Sequence, residues 1–242
     1  MGVPGLDEML GGGLPAGYSL LVAGPSGSGK TILATAFLAE GVRRGETGVI
    51  VAFEQTPNQT RNSAIDNMVR AGKVGLINTR ALDLSIDEIV QRLVNLIHEM
   101  KATRVVIDSL SGFELAVAPT FREDFRESLF SMVAVLSGIG VTVLMTSELE
   151  DRYMDLRFSP YGSAFLTDAI IVERYIEIES RLKRVLAVVK VRGSTHSTEL
   201  RQFEITDDGI SIGERVQGYE GILGGRPSLT PPSDPGAVRK AG

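Results

Sequence analysis

The stretch Gly24-Pro25-Ser26-Gly27-Ser28-Gly29-Lys30-Thr31 constrains this chain more than any other feature. It satisfies the phosphate-loop pattern G-x-x-x-x-G-K-[ST] in full, and that pattern carries meaning only between a buried strand and a helix. Both flanks are present. YSLLVAG (18–24) is a short apolar run ending in glycine, and KTILATAFLAEGVRRG (30–45) is a helix-length segment that closes on Gly45. Glycines at 24, 27 and 29 let backbone amides converge on phosphate oxygens, and the helix start adds a positive dipole end. In that setting Lys30 reaches the β and γ phosphates and Thr31 ligates Mg²⁺. The bland alternative, a glycine-rich turn that matches by accident, predicts neither flank.

The same alternation continues along the chain. GVIVAF (48–53), TRVVID (103–108) and VTVLMTS (141–147) are further buried-strand patterns separated by helical stretches. One helix is expected over 85–101, with Ser85 and Glu88 in capping-box spacing and Ile86, Ile89, Leu93, Leu96, Ile97 and Met100 at helical period. Another carries Phe121, Phe125, Leu129, Met132 and Leu136 along one face. His98 falls off the first stripe and reads as a solvated residue. Beyond residue 168 the pattern changes: DAIIVERYIEIESRLKRVLAVVKVRG holds two extended runs joined near Ser180 and Arg181, and QFEITDDGISI carries an Asp-Gly turn at Asp208 and Gly209. The sequence therefore predicts an α/β chain with a mainly parallel central sheet and C-terminal antiparallel β-hairpins. One domain is expected over 1–223, followed by a flexible Pro/Gly/Ser-rich tail over 224–242.

Composition removes several classes of function. With 242 residues and 43% hydrophobic content, one substantial core is expected. There is no cysteine, and the two histidines, His98 and His196, are far apart in sequence, so no zinc constellation can be read. The formal charge of −5 argues against binding nucleic acid by bulk charge. No apolar run approaches the roughly 20 residues of a membrane helix. The amino terminus also lacks a basic segment followed by an apolar one, so the expected setting is cytoplasmic.

Three further features carry candidate chemistry. Asp108 closes an apolar strand, where a Walker B aspartate faces the metal from the neighbouring strand tip; the alternative is an N-cap for the following turn. Glu54 closes GVIVAF in the same way, and a carboxylate at the tip of a strand beside the phosphate-loop strand can polarise the water that attacks the γ phosphate. In KVRG, Lys190 and Arg192 stand two apart and so share one face of a strand, with Val189 and Val191 pointing inward. A solvated edge strand is the competing reading there.

In their order and spacing, GVPGLDEMLGGGLPAG, GPSGSGKT, FEQTP, VVIDSL, MTSE and KVRGSTH resemble the RecA-type ATPase domain of the KaiC family, from about residue 2 to about residue 225. The resemblance implies a RecA-like P-loop core, ATP and Mg²⁺ as ligands, and slow ATP hydrolysis. It also implies a homo-oligomeric ring, read as a hexamer, with ATP between subunits and a nucleotide-state signalling or clock-type role toward a protein partner. Residue by residue, it implies nucleotide contacts from Ser26, Gly27, Ser28, Gly29, Lys30, Thr31 and Ile32, and metal contacts from Thr31 and Asp108. Glu54 and Lys30 would act in catalysis. Lys190, Val191, Arg192, Ser194 and His196 would touch the nucleotide held by the neighbouring subunit, Lys190 and Arg192 acting in catalysis as well. Thr206 and Asp207 match positions near the adenosine end. An arginine supplied in trans is worth about 10³ to 10⁵ in rate, so a lone subunit is expected to be a poor ATPase.

Two departures from the family pattern matter. Glu54 is followed by Gln55 rather than a second glutamate, which weakens the expected hydrolysis. The two adjacent phosphoacceptors of the clock autokinase domain fall on Ala164 and Phe165, which have no hydroxyl, with Ser163 and Thr167 beside them. Transfer of phosphate to water is therefore expected. Alternatives are a serine/threonine autokinase with relocated acceptors, a nucleotide-binding scaffold that barely turns over, and a RecA- or RadA-type DNA-dependent ATPase. The last would need basic, glycine-rich loops after the Walker B strand, and GFELAVAPTFREDFRES is not one.

Overall fold

The computed structural model describes residues 1–53, 63–78, 86–116, 125–149, 166–224 and 228–229. Along the chain lie α1 (Pro4–Met9), β1 (Ser19–Gly24), α2 (Lys30–Arg43), β2 (Gly48–Ala52), α3 (Ser63–Arg70), β3 (Val74–Asn78), α4 (Ile86–Met100) and β4 (Arg104–Asp108). There follow α5 (Leu110–Ala116), α6 (Phe125–Ile139), β5 (Thr142–Glu148), β6 (Ala169–Ile178), β7 (Arg181–Val191), β8 (Arg201–Thr206) and β9 (Gly209–Arg215), then a short antiparallel pair, β10 (Tyr219–Glu220) and β11 (Ser228–Leu229). Among the described residues no helix is long and apolar enough to cross a membrane.

Nine strands form one sheet in the order β3-β2-β4-β5-β1-β6-β7-β8-β9. The strands from β3 to β6 pair in parallel, and those from β6 to β9 pair antiparallel. Continuous apolar runs suit the parallel part because both its faces are covered. On one face Leu21, Ala23, Val51, Ile107 and Met145 meet Ile89, Leu93 and Ile97 of α4 and Leu129, Met132 and Leu136 of α6. On the other, Leu20, Val22, Ile50, Val106 and Leu144 meet Leu6 and Met9 of α1 and Leu33, Phe37 and Leu38 of α2. Each such side chain contributes about 1.5–3 kcal/mol by leaving water, so the helical stripes decide which side of each helix turns inward. Helix α2 stops as its sequence predicts: Gly45 takes φ +83°, its amide donates to the Val42 carbonyl at 3.0 Å, and the Glu46 amide donates to Gly41 at 2.9 Å.

The strand order corrects one expectation. β4 is not the neighbour of β1, because β5 lies between them, and β2 lies one strand further out. VTVLM is as apolar on both faces as the other strands and takes the central slot, so tip chemistry alone does not identify neighbours. A second correction concerns KVRG. The pairing of β6 with β7 slips between Ile170 and Ile171, with Ile170 opposite Lys190 and Ile171 opposite Val188. Val189 is thus the extra residue of a bulge. It packs toward the α4/α6 side while Val188 and Val191 pack toward the α1/α2 side, so Val189 and Val191 do not point inward together. Arg192 lies just beyond the end of β7.

Candidate functional site

β1 delivers the loop 24–29 at the carboxyl edge of the parallel sheet, where the chain leaves for strands on one side while β6 lies on the other. Ligands bind at such a switch point in open α/β sheets. Gly24 needs to be glycine for space: a Cβ there would come within 2.9 Å of both Glu173 Cβ and Ser28 Oγ. Gly29 needs to be glycine for conformation, with φ +128° immediately before α2.

Lys30 Nζ donates to the carbonyls of Gly24 at 2.8 Å and Pro25 at 2.6 Å, so the lysine arches over its own loop. Burial holds its pKa below the ordinary lysine value, opposed by the charges of Glu173, Glu148 and Asp108. Thr31 Oγ1 donates to Asp108 Oδ2 at 2.8 Å, and the hydroxyl of Thr146, on the intervening β5, donates to Oδ1. One helix, α2, and one strand, β5, therefore fix the two oxygens of Asp108. The capping alternative for Asp108 is not what the structure shows. Ser109 takes that role, its Oγ accepting from the Gly112 amide at 3.1 Å at the start of α5.

A cavity of about 290 Å³ opens over this cluster, lined by Ser26, Gly27, Gly29, Lys30, Thr31, Ile32, Asp108, Ser109, Glu148 and Ile205. Thr206 and Asp207 begin the hairpin turn directly after Ile205, at the same edge of the sheet. Thr206 Oγ1 donates to the Gly209 carbonyl at 3.2 Å. Among the described residues, no group of three or more His, Cys, Asp or Glu side chains could hold a metal ion. A cation here would rest on one hydroxyl and one carboxylate, which is how Mg²⁺ is held when phosphate oxygens and water complete its shell. A larger cavity, about 690 Å³ and lined by residues such as Met1, Asp7, Arg44 and Arg104, contains no loop residue.

The KVRG residues lie elsewhere. Lys190 stands opposite Ile170, which is level with Leu21, three residues below Gly24 and thus on the order of 10 Å along the strand. Lys190 Nζ donates to the Thr167 carbonyl at 2.6 Å, and burial, then the charge of Arg192, lowers its pKa against the pull of Asp168. Asp168 anchors this end: it accepts from the Ser19 amide at 3.0 Å and hydroxyl at 2.9 Å, and it pairs with Arg192 at 3.3 Å. The Arg192 amide donates to the Asp168 carbonyl at 2.7 Å. Ser194 is exposed and His196 half-buried, in the segment that meets the chain after α1, where the Ser197 amide donates to Met9 at 2.8 Å. Within one chain the structure thus brings Ser26–Ile32 and Asp108 together, with Thr206 and Asp207 at their edge, and keeps Lys190, Val191 and Arg192 apart. Glu54, Gln55, Ser163, Ala164 and Phe165 lie outside the described residues.

Sequence reading missed Thr146, Glu148, Asp168 and Glu173. A signal existed for the first two, since Thr146-Ser147-Glu148 is a polar ending on an apolar strand. Glu173 also had one, as a carboxylate inside the apolar run of β6.

A phosphate loop at the switch point of a mainly parallel sheet, followed by antiparallel hairpins, defines a RecA-type P-loop ATPase fold. The family model described as "ATPase: KaiC" matches residues 1–217, and the chain belongs to that family. It is 29% identical over 235 residues to the circadian clock protein KaiC3 of Synechocystis sp., covering 95% of this chain and 46% of that protein. It is 33% identical to a UPF0273 protein of Thermotoga maritima, with 87% of this chain and 93% of the relative covered. The crystal structure of a KaiC-like protein from Pyrococcus horikoshii OT3 superposes with a TM-score of 0.77 at 28% identity, covering 88% of this chain and 97% of that one. The chain spans about half the length of the clock proteins it matches.

Proposed function

We propose that the protein binds Mg·ATP at residues 24–31 and hydrolyses it slowly within a homo-oligomeric ring, so that nucleotide state sets its contacts with a signalling partner. The observation that carries this reading is the joined cluster of Lys30, Thr31 and Asp108 under a cavity, with exposed Arg192 pointing from a different part of the sheet. Ser26 to Ile32 cradle the phosphates, Thr31 and Asp108 seat Mg²⁺, and Thr206 and Asp207 border the adenosine end. Glu54 activates the attacking water. Lys190, Val191, Arg192, Ser194 and His196 serve the nucleotide of the adjacent subunit, since Lys190 and Arg192 sit too far down the sheet to serve their own. Mg²⁺, when bound, supplies charge neutralisation of the β and γ phosphates.

Phosphate goes to water in this reading. Thr167 has no exposed surface, and a buried hydroxyl does not reach a phosphate without the chain opening. The test is incubation with γ-labelled ATP and Mg²⁺. Label in inorganic phosphate, lost in Glu54→Gln, is expected; stoichiometric label on Ser163 or Thr167 would overturn the hydrolase reading in favour of an autokinase.

A further inference from the structure

Glu173 is a carboxylate with no exposed surface, on β6 beside the phosphate loop. Val172 is level with Ala23, which puts Glu173 level with Gly24. Its Cβ is so close to the loop that a side chain at Gly24 would collide with it. Among the described residues neither carboxyl oxygen has a hydrogen-bond partner, and nor has the buried Ser28 hydroxyl next to it. A buried ionised carboxylate without partners costs several kcal/mol, so packing alone does not account for one in such a place.

The charged groups around Glu173 set its protonation. Against burial, the Ser28 hydroxyl beside it, although not within a formed hydrogen bond, favours the carboxylate, as do the charges of Lys30 at the start of α2 and Arg184 on β7. Burial outweighs them and raises its pKa. On its own strand stand Arg174 and Tyr175; the Tyr175 ring lies under the Arg184 guanidinium, and its hydroxyl comes close to Gly27. Glu148 on β5 and Asp108 on β4 act on the same Lys30. Lys30 therefore donates to two loop carbonyls while lying in the field of three carboxylates.

We propose that Glu173 is a positioning residue through which nucleotide affinity depends on proton concentration: a polyphosphate entering the loop draws Lys30 to itself, and Glu173 takes a proton from solvent. This deepens, and rests on, the reading of residues 24–31 as a nucleotide-phosphate cradle. The sign follows from linkage. A site that takes up a proton on binding holds its ligand less tightly as pH rises, by up to tenfold per pH unit for one proton. The Glu173 carboxylate is then a built-in competitor of the phosphates for Lys30, and protonation removes it.

The experiment is titration calorimetry of the full chain with Mg·ATP between pH 6 and 9, for wild type and Glu173→Gln. Comparison of the two cancels the proton equilibria of the nucleotide itself. Wild type is expected to weaken at least tenfold more than the variant across this range, and the variant to bind more tightly at pH 9. Parallel affinity curves, within a factor of two, would overturn the proposal. A second measurement needs no variant: at one pH near neutrality, wild-type binding heats in two buffers of different ionisation enthalpy give the proton count. Uptake approaching one proton per nucleotide supports the proposal, and zero uptake overturns it, whether or not Glu173→Gln folds. If neither protein binds Mg·ATP at any pH, the cradle reading itself fails; normal binding with no proton linkage sinks only the role of Glu173.

Discussion

The two ends of the parallel sheet hold their cations in different ways. At the carboxyl edge Lys30 is half-buried and grips its own loop, and the adjoining Asp108 is fixed by hydroxyls from α2 and β5. At the opposite edge, beside Asp168, Arg192 is 59% exposed and pairs with that aspartate at 3.3 Å. The first arrangement is organised from within the chain and needs little rearrangement to receive a ligand. The second presents a guanidinium outward from an anchored backbone. Under the proposed ring reading a division of labour follows: binding would reside within one subunit, and the rate partly in the contact between two.

That contrast can be broken most decisively at Lys30. Lys30→Ala should abolish ATP binding at micromolar nucleotide in calorimetry, together with turnover. Retained binding would show that the loop is not the organised end. Next in size, Arg192→Ala should lower kcat by about 10³-fold or more, while ATP affinity changes by less than about threefold, because a group acting in trans favours mainly the transition state. Mixing the two variants sharpens the point. If subunits exchange within a ring, some interfaces pair an intact Lys30 with an intact Arg192, and measurable phosphate release should return; two separately defective chains that stay inactive on mixing would place both residues in one subunit's site.

Smaller effects probe the organised end alone. Thr146→Val removes one hydroxyl from Asp108, and a hydrogen bond to a charged group is worth about 1.5–3 kcal/mol, so Mg²⁺-dependent ATP affinity should fall by roughly tenfold or more. An unchanged Mg²⁺ titration would show that Asp108 needs no such support. Smallest of all, Ser109→Ala removes the cap of α5 and should lower unfolding free energy by about 1 kcal/mol, read as a lower denaturant midpoint at constant slope.

Much of the organised end was legible in the sequence because local rules govern it. A glycine-rich loop between strand and helix, a carboxylate at a strand tip and a helical stripe such as Ile89, Leu93 and Ile97 are each decided by a few neighbouring residues. The order of the strands is not local. Placing β5 between β1 and β4 depends on which crossovers pack, and no pattern inside VTVLM reveals it. The support given to Asp108 by Thr146, and to Arg192 by Asp168, was hidden for the same reason: each pair is joined only by the fold. The bulge at Val189 defeated the period-two reading of KVRG because the slip arises from pairing with β6 rather than from anything in the four residues.

That slip divides β7 into two lengths with opposite phase. Above it the strand keeps step with β8, through Arg184 opposite Phe203 and Leu186 opposite Arg201; below it the strand keeps step with the start of β6, through Val191 opposite Ala169. The extra residue works as slack between two gears. It lets Val188 above and Val191 below both turn to the α1/α2 side although they stand three apart in sequence, so the hairpins and the Asp168–Arg192 clasp each keep their own register. A chain that lacked Val189 would lose that independence, its lower strand locked in phase with its upper one.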